Sequence, residues 1–170
     1  KDMAYMFSGC YNLELVGIEG LKKFDTSKVT DMSYMFNYVQ QLKSFDFTNF
    51  NTKKVVNMAN MFSYCTTLES LDLSTFDTSE VEDMSGMFSN CGKLTSIKFG
   101  TFNTKYVKNM EGMFLSCNAI TSLELSDFNT ENVQNMKRMF FSCSKLISLD
   151  LSKFRTSKVE NMEEMFYSCK

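Results

Sequence analysis

The feature that most constrains this chain is an internal repeat of constant length. The dipeptide Met-Phe occurs seven times; from Met35 to Met165 the spacing is constant at 26, and the gap from Met6 to Met35 is three longer. The motif Phe-x-Thr recurs in step with it, a valine follows each of these threonines by three residues, and all 14 methionines fall in two columns. A fixed period of this length is typical of stacked architectures, in which each unit covers the apolar face of its neighbour.

Each repeat divides into two halves with different hydrophobic periods. In residues 68–76, Leu71 and Leu73 alternate with polar residues, and this alternation predicts a half-buried strand. In the second half, the apolar residues fall at offsets of 3, 6, 7 and 10, which predict one face of a short helix. In the central repeat these residues are Val81, Met84, Met87, Phe88 and Cys91.

The sequence therefore predicts an α/β repeat fold: a right-handed solenoid of leucine-rich-repeat type, with one short parallel strand and one short helix per repeat. Strands pair at ~4.8 Å and helices pack at ~8–10 Å, so the strands would lie on the concave side. Residues 1–170 would form a single segment of about six repeats, cut from a longer array, since neither end offers a polar cap. Such ends would permit end-to-end self-association.

The stretch from Leu13 to Phe24 holds three extra residues with Gly17 and Gly20, and it predicts a bulge or wider loop.

Composition argues against several classes of function. The formal net charge of −2 lacks the basic excess that nucleic-acid binding needs. The absence of histidine removes the commonest general base and metal ligand, and nothing resembles a nucleophile–base pair or a carboxylate pair in a pocket. We therefore expect no catalysis, no cofactor and no metal. The longest apolar run falls far short of the ~18 residues of a membrane span.

Three polar or thiol columns are interpreted as structural. Five of the six cysteines, from Cys65 to Cys169, lie one repeat apart, Cys10 fills the same slot in the first repeat, and Val39 takes it in the second. This pattern favours buried free thiols, with disulfides and metal binding as the less favoured alternatives. The repeated threonines and the Asp/Asn column that starts at Asp31 and Asn57 are expected to form caps or turn ladders rather than calcium sites.

The unit resembles a known family of bacterial surface repeats. The segment Met87-Phe88-x-x-Cys91-x-x-Leu94 is similar to the Ala-Phe-x-x-Cys-x-x-Leu segment of BspA-like leucine-rich-repeat proteins. The full unit, Leu-Asp-Leu-Ser-x-Phe-Asp-Thr-Ser-x-Val-x-x-Met-x-x-Met-Phe-x-x-Cys, resembles the repeat of bacterial surface lipoproteins and cell-wall-anchored proteins. The resemblance covers essentially residues 3–170. It implies a cell-surface or extracellular location and, for some relatives, adhesion or binding of host matrix.

The concave strand face is the expected binding surface. Its middle column is charged and serines flank it, so it would form a mildly acidic, hydroxyl-lined groove for a basic or polar partner, such as a host or matrix protein or a neighbouring domain. The alternative is an ordinary solvated sheet face. The column consists of Asp46, Asp72, Lys98, Glu124 and Asp150.

A second candidate patch lies one residue after Met-Phe, where the last three repeats carry Leu115, Phe141 and Tyr167. A contiguous apolar row predicts either a partner contact or packing against a further neighbour.

Two functions follow from the sequence. The first is a bacterial cell-surface module for adhesion or for binding a protein or other ligand through the concave strand face. The second is a structural spacer or stalk that projects another domain and has no ligand of its own.

Overall fold

A computed structural model describes residues 1–12, 20–100 and 102–170 of the chain. Its regular elements are a 3-10 turn at Leu21–Lys23 and four strands: β1 (Ser70–Asp72), β2 (Ser96–Lys98), β3 (Ser122–Leu123) and β4 (Ser148–Leu149). Most of the predicted bulge near Gly17 and Gly20 falls in residues 13–19, outside the described residues.

The strands pair in parallel, one repeat apart, as the sequence predicts. β1 pairs with β2 in a register that sets Leu71 beside Ile97, and β3 pairs with β4 with Leu123 beside Leu149. These pairs form two separate two-stranded sheets, β1–β2 and β3–β4. The sheet is therefore interrupted between β2 and β3.

The predicted fold class is wrong in its second half. The described residues contain no α-helix, so the chain is not an α/β solenoid of leucine-rich-repeat type. In place of each predicted helix the chain forms a six-residue turn segment that holds the Met-Phe pair, and the other apolar residues of the predicted face, such as Val81, Met84 and Cys91, lie before or after it. These segments are 33–38, 59–64, 85–90, 111–116, 137–142 and 163–168. Two positions in each segment have a left-handed backbone, as at Asn60 (φ 56°) and Tyr64 (φ 60°). A residue with positive φ cannot continue a right-handed helix. The apolar spacing resembles that of a helix because overlapping four-residue turns also bring residues three apart onto one side.

Backbone hydrogen bonds explain why the turn segments are stable. Within segment 59–64 the amides of Met61 and Ser63 donate to the carbonyls of Met58 and Asn60, which closes consecutive turns. The intervening amides donate to the next repeat: Asn60 to Ser85 at 2.7 Å and Phe62 to Met87 at 2.9 Å. The same alternation recurs in each pair of neighbouring segments from 4–9 to 163–168. A turn segment is thus completed only by its neighbour.

The core lies between the turn segments and the strands. The Met-Phe phenylalanines stack on one another along the repeats, and the rings of Phe36, Phe62, Phe88, Phe114 and Phe140 lie 5.5–5.9 Å apart between centroids, with interplanar angles of 2–15°. The methionines of the middle repeats are fully buried, whereas Met6 in the first repeat and Met162 in the last are exposed. The Met and Phe columns therefore form the core of the inner repeats.

Buried threonines link each repeat to the next. The hydroxyl of Thr78 donates to the carbonyl of Asn103 at 2.9 Å and accepts the amide of Asn103 at 2.8 Å. The pairs Thr52–Asp77 and Thr130–Arg155 repeat this two-way contact. In the second column, the Asp31 carboxylate and the Asn57 amide oxygen each accept a backbone N–H two residues on. Both columns are turn ladders, as predicted.

The six cysteines are free thiols, and four of them are buried. The thiol of Cys91 donates to the carbonyl of Phe62 at 3.1 Å, and every thiol from Cys65 to Cys169 makes the equivalent contact with the preceding repeat. Burial raises the pKa of Cys65 and Cys143 to about 12 and that of Cys91 well above its ordinary value. These thiols therefore stay protonated at neutral pH.

We predict that Thr78→Val lowers the free energy of unfolding by about 1–3 kcal/mol, because valine keeps the shape but leaves the amide and carbonyl of Asn103 without the hydroxyl. Urea unfolding followed by circular dichroism measures the change. Thr78→Ser keeps the hydroxyl and should lose less stability than the valine variant. Thr75→Val, at an exposed threonine of the same repeat, serves as the control and should change stability by less than about 0.5 kcal/mol. Equal losses for Thr78→Val and Thr78→Ser would contradict the two-way contact.

We also predict that stability falls as the pH rises from 9 towards 12. The folded-state pKa of the buried thiols is raised above the ordinary 9.0, so the unfolded chain loses these protons first. Cys91→Val, which copies Val39 of the second repeat, should lose less stability than the natural chain over this range, and unfolding curves at each pH measure this.

At neutral pH a thiol reagent should react with the half-buried Cys10 and Cys169 before the four buried thiols. Equal reaction rates for all six in the folded chain would show that the column is open.

Candidate functional site

The predicted strand-face column lies on one exposed surface. All five side chains are exposed or partly exposed, and the register of β1 and β2 sets Asp72 beside Lys98, whose Nζ lies 2.9 Å from the Asp72 carboxylate. Lys98 and Glu124 line one cleft, and Glu124 and Asp150 line the next. Asp46 and Asp72 line a third. The structure thus brings neighbouring members of the column together in pairs.

The aspartates of this column also have a structural role that the sequence interpretation missed. The carboxylate of Asp72 accepts the backbone N–H of Ser74 at 2.9 Å, and Asp46 and Asp150 do the same for the residue two positions on. Hydrogen bonds from the Ser74 hydroxyl, the Lys98 ammonium and the Ser74 backbone N–H lower the pKa of Asp72 to about 2. The signal in the sequence was an aspartate two residues before Ser or Thr, which is typical of an Asx turn.

A cleft opens where the sheet is interrupted between β2 and β3. It has a volume of about 290 Å³ and is lined by residues 97–100, Phe102, Glu124 and residues 126–128. Phe99 stands in the slot that Leu73 and Leu125 occupy in the adjacent repeats. Its ring packs 5.1 Å from that of Phe102 and 5.2 Å from that of Phe128, so these three rings form an aromatic floor.

The backbone beside Phe99 is also specialised. Gly100 has a φ of 63°, and a Cβ at this position would lie 2.6 Å from the Cα of Ser74. A side chain larger than hydrogen would therefore collide with the preceding repeat, and the left-handed conformation favours glycine as well. The Phe99–Gly100 pair, which replaces Leu-Ser of the neighbouring repeats, fixes the shape of the cleft wall.

Only some of the charged groups at the rim of this cleft have an ion-pair partner. The ammonium group of Lys98 is paired with Asp72. In the part of the chain that the structure describes, the carboxylates of Glu124 and Asp127 make no hydrogen bond and no ion pair. Lys153 and Arg155 line an adjacent cleft with Asp127 but lie beyond ion-pair distance. The rim therefore holds two unpaired carboxylates above an aromatic floor.

The second predicted patch is only partly exposed. Leu115 and Phe141 are half-buried, whereas Tyr167 is 59% exposed. The rings of Phe141 and Tyr167 stack at 5.1 Å, and the guanidinium of Arg138 lies 5.6 Å from the Phe141 ring. Leu115 lines a cleft of about 250 Å³ with Arg138, over the two left-handed glycines of segments 85–90 and 111–116. The row is thus an aromatic pair beside a polar cleft.

A tyrosine cluster on the turn segments of the first three repeats was not predicted. Tyr5 stacks on Tyr34 at 4.6 Å and Tyr38 on Tyr64 at 4.2 Å, with the rings of each pair nearly parallel. All four have a positive φ, at positions where other repeats carry Gly, Asn, Ser, Arg or Glu. The sequence did contain a sign of this cluster: most tyrosines of the chain lie at or before Tyr64, and most of these occupy the same two positions of the repeat.

No group of three or more acidic, cysteine or histidine side chains that could hold a metal ion occurs among the described residues. In residues 1–12, 20–100 and 102–170, no helix has the length and apolar character to cross a membrane.

Comparison with known proteins assigns the chain to a family. The family described as "Mycoplasma protein of unknown function, DUF285" matches residues 1–122 and 93–170, two overlapping stretches that together span the chain. Neither the curated proteins nor the solved structures contain a match. The chain therefore belongs to the DUF285 family of Mycoplasma proteins of unknown function.

Proposed function

We propose that this chain is a non-enzymatic module of the bacterial cell surface that binds a host or matrix protein, or a neighbouring domain, through its strand face. The resemblance of the unit to BspA-like surface repeats supports the location and the adhesive role.

The observation that carries the proposal is the cleft between β2 and β3. It interrupts an otherwise regular surface with an aromatic floor and a charged rim. Apolar pockets rimmed by polar groups are where protein interfaces concentrate their binding energy. From Asp46 to Asp150 the charged column extends over five successive repeats, so a partner in an extended conformation can contact several of its members.

The rigidity of this surface supports binding by the strand face rather than by a loop that orders on contact. The strand residues are joined to both flanking repeats through the core, and Ile97 and Leu123 pack inward while Lys98 and Glu124 point to solvent. Side chains held on a rigid element lose less conformational entropy when a partner binds.

A spacer without a ligand is the second candidate, and one observation favours it. Asp46, Asp72 and Asp150 each accept a backbone N–H that holds a turn. The charge column therefore has a reason to exist in the absence of any partner. In the described structure Glu124 accepts no such bond, and the Lys98 ammonium donates only to Asp72. Because neither side chain holds a turn, substitutions at these two positions distinguish a binding surface from a spacer.

We predict that the double substitution Lys98→Glu with Glu124→Lys weakens binding to a matrix protein by about tenfold or more, mainly through a slower and salt-dependent association rate. Both side chains are exposed and neither holds a turn, so the folded structure should survive. Surface plasmon resonance against immobilised collagen, fibronectin and laminin measures the rates.

The matched control is a triple variant on the turn-segment side, Leu115→Ser, Phe141→Ser and Tyr167→Ser. Normal binding by this control with loss in the double variant supports the strand face. The reverse result would contradict the proposal and move the interface to the second patch. If none of the three matrix proteins binds the natural chain, the spacer becomes the better interpretation.

A further inference from the structure

The cleft between β2 and β3 has features that select one chemical class of side chain. Its floor consists of Phe99, Phe102 and Phe128, with ring centroids 5.1–6.0 Å apart. All three rings are almost fully buried, so only a narrow part of each borders the cleft. A slender, unbranched chain of methylene groups fits such a floor better than a branched or aromatic side chain does.

The rim supplies the charge that the floor lacks. Glu124 and Asp127 both line the cleft, and neither has an ion-pair partner among the described residues. Lys98 also lines the cleft, but its ammonium is held 2.9 Å from Asp72, in the preceding repeat. Two carboxylates beside the apolar surface of these rings attract a cation by direct charge.

We infer that this cleft binds the side chain of a lysine or arginine presented by an extended segment of the protein partner. The aliphatic stem would lie on the phenylalanine floor and the cationic head between Glu124 and Asp127, as long basic side chains do when they cover apolar surface and keep their charge at its edge. An acidic side chain would be repelled by the rim. A purely apolar side chain would displace water from the two carboxylates and offer them no hydrogen bond or charge in its place.

This inference rests on the proposed function and names the chemistry of its partner. It can be tested without that partner. Titration of the ¹⁵N-labelled chain with n-pentylammonium, at constant ionic strength, should shift the backbone amide signals of residues 97–100 and 124–128 in a saturable manner. Valerate and 1-pentanol, which have a stem of similar length with a negative or a neutral head, should produce clearly weaker shifts at the same positions.

Variants locate the binding at the rim. Glu124→Gln with Asp127→Asn should weaken pentylammonium binding roughly fivefold to tenfold, as expected for the loss of two partly exposed charge contacts. Lys98→Gln should strengthen it, because a like charge is removed from the rim. Glu80→Gln removes one exposed carboxylate outside the clefts and should bind as the natural chain does. Urea unfolding of each variant confirms that it is folded.

Equal shifts with pentylammonium and valerate, or unchanged pentylammonium binding in the Glu124/Asp127 double variant, would overturn the inference. Failure here is distinguishable from failure of the proposed function. If a matrix protein still binds and loses affinity on the Lys98/Glu124 exchange, the strand face is the interface but its anchor is not a basic side chain. If pentylammonium binds as described and no matrix protein does, the cleft selects cations although the surface proposal is wrong.

Discussion

The backbone hydrogen bonds between turn segments of neighbouring repeats are the constraint on which the rest of the structure depends. Every second amide of a segment donates to a carbonyl of the next repeat, at 2.7–3.0 Å in successive segments, and the amides between them close turns within the segment. A lone repeat would leave half of these donors without a protein partner, and each one buried without a partner costs about 1–3 kcal/mol. The constant length of the repeat follows, because a change of length within a segment would move every donor off its acceptor. The three extra residues of the first repeat lie outside these segments, and Met3 still donates to Asp31 at 3.0 Å.

This ladder places like residues directly above one another, and the side-chain columns follow from it. Phenylalanine stacks on phenylalanine, each thiol from Cys65 onwards donates to a phenylalanine carbonyl of the preceding repeat, and each buried threonine from Thr26 to Thr130 donates to the backbone of the next. The strand half contributes less to the register, since its strands are only two or three residues long. The chain is therefore held mainly by turns, and its sheets are the more variable part.

The repeat, the parallel pairing and the buried columns could be predicted from the sequence because each depends on periodicity. The turn segments could not be predicted from apolar offsets alone, since residues three apart share a side in a helix and in consecutive turns alike. Gly86, Gly112, Asn60 and Asn90 were the available evidence, because these residue types favour a positive φ, although Tyr34 and Arg138 occupy the same columns. At the site, the exposure of the charged column was predictable. The cleft was not, because it depends on how Phe99 packs against two other rings and on where the sheet is interrupted.

The position of the cleft is explained by the different roles of the two halves of the repeat: the turn segments hold the register and the strand half contributes less to it. A regular repeat surface presents the same groups every ~4.8 Å and offers no unique place for a partner to bind. Specific recognition requires one repeat to differ, but a difference in the turn segments would break the hydrogen bonds that hold the neighbours together. In the repeat that contains β2, Phe88 and Asn90 still donate to Met113 and Leu115 at 2.9 and 2.7 Å, while Lys98, Phe99 and Gly100 depart from the pattern on the strand side. Because the turn segments keep the register, the strand half can change its side chains, lose its pairing with β3 and open a cleft without loss of the stack. A repeat protein of this kind can therefore acquire a specific site on the strand face at lower cost to stability than on the turn segments.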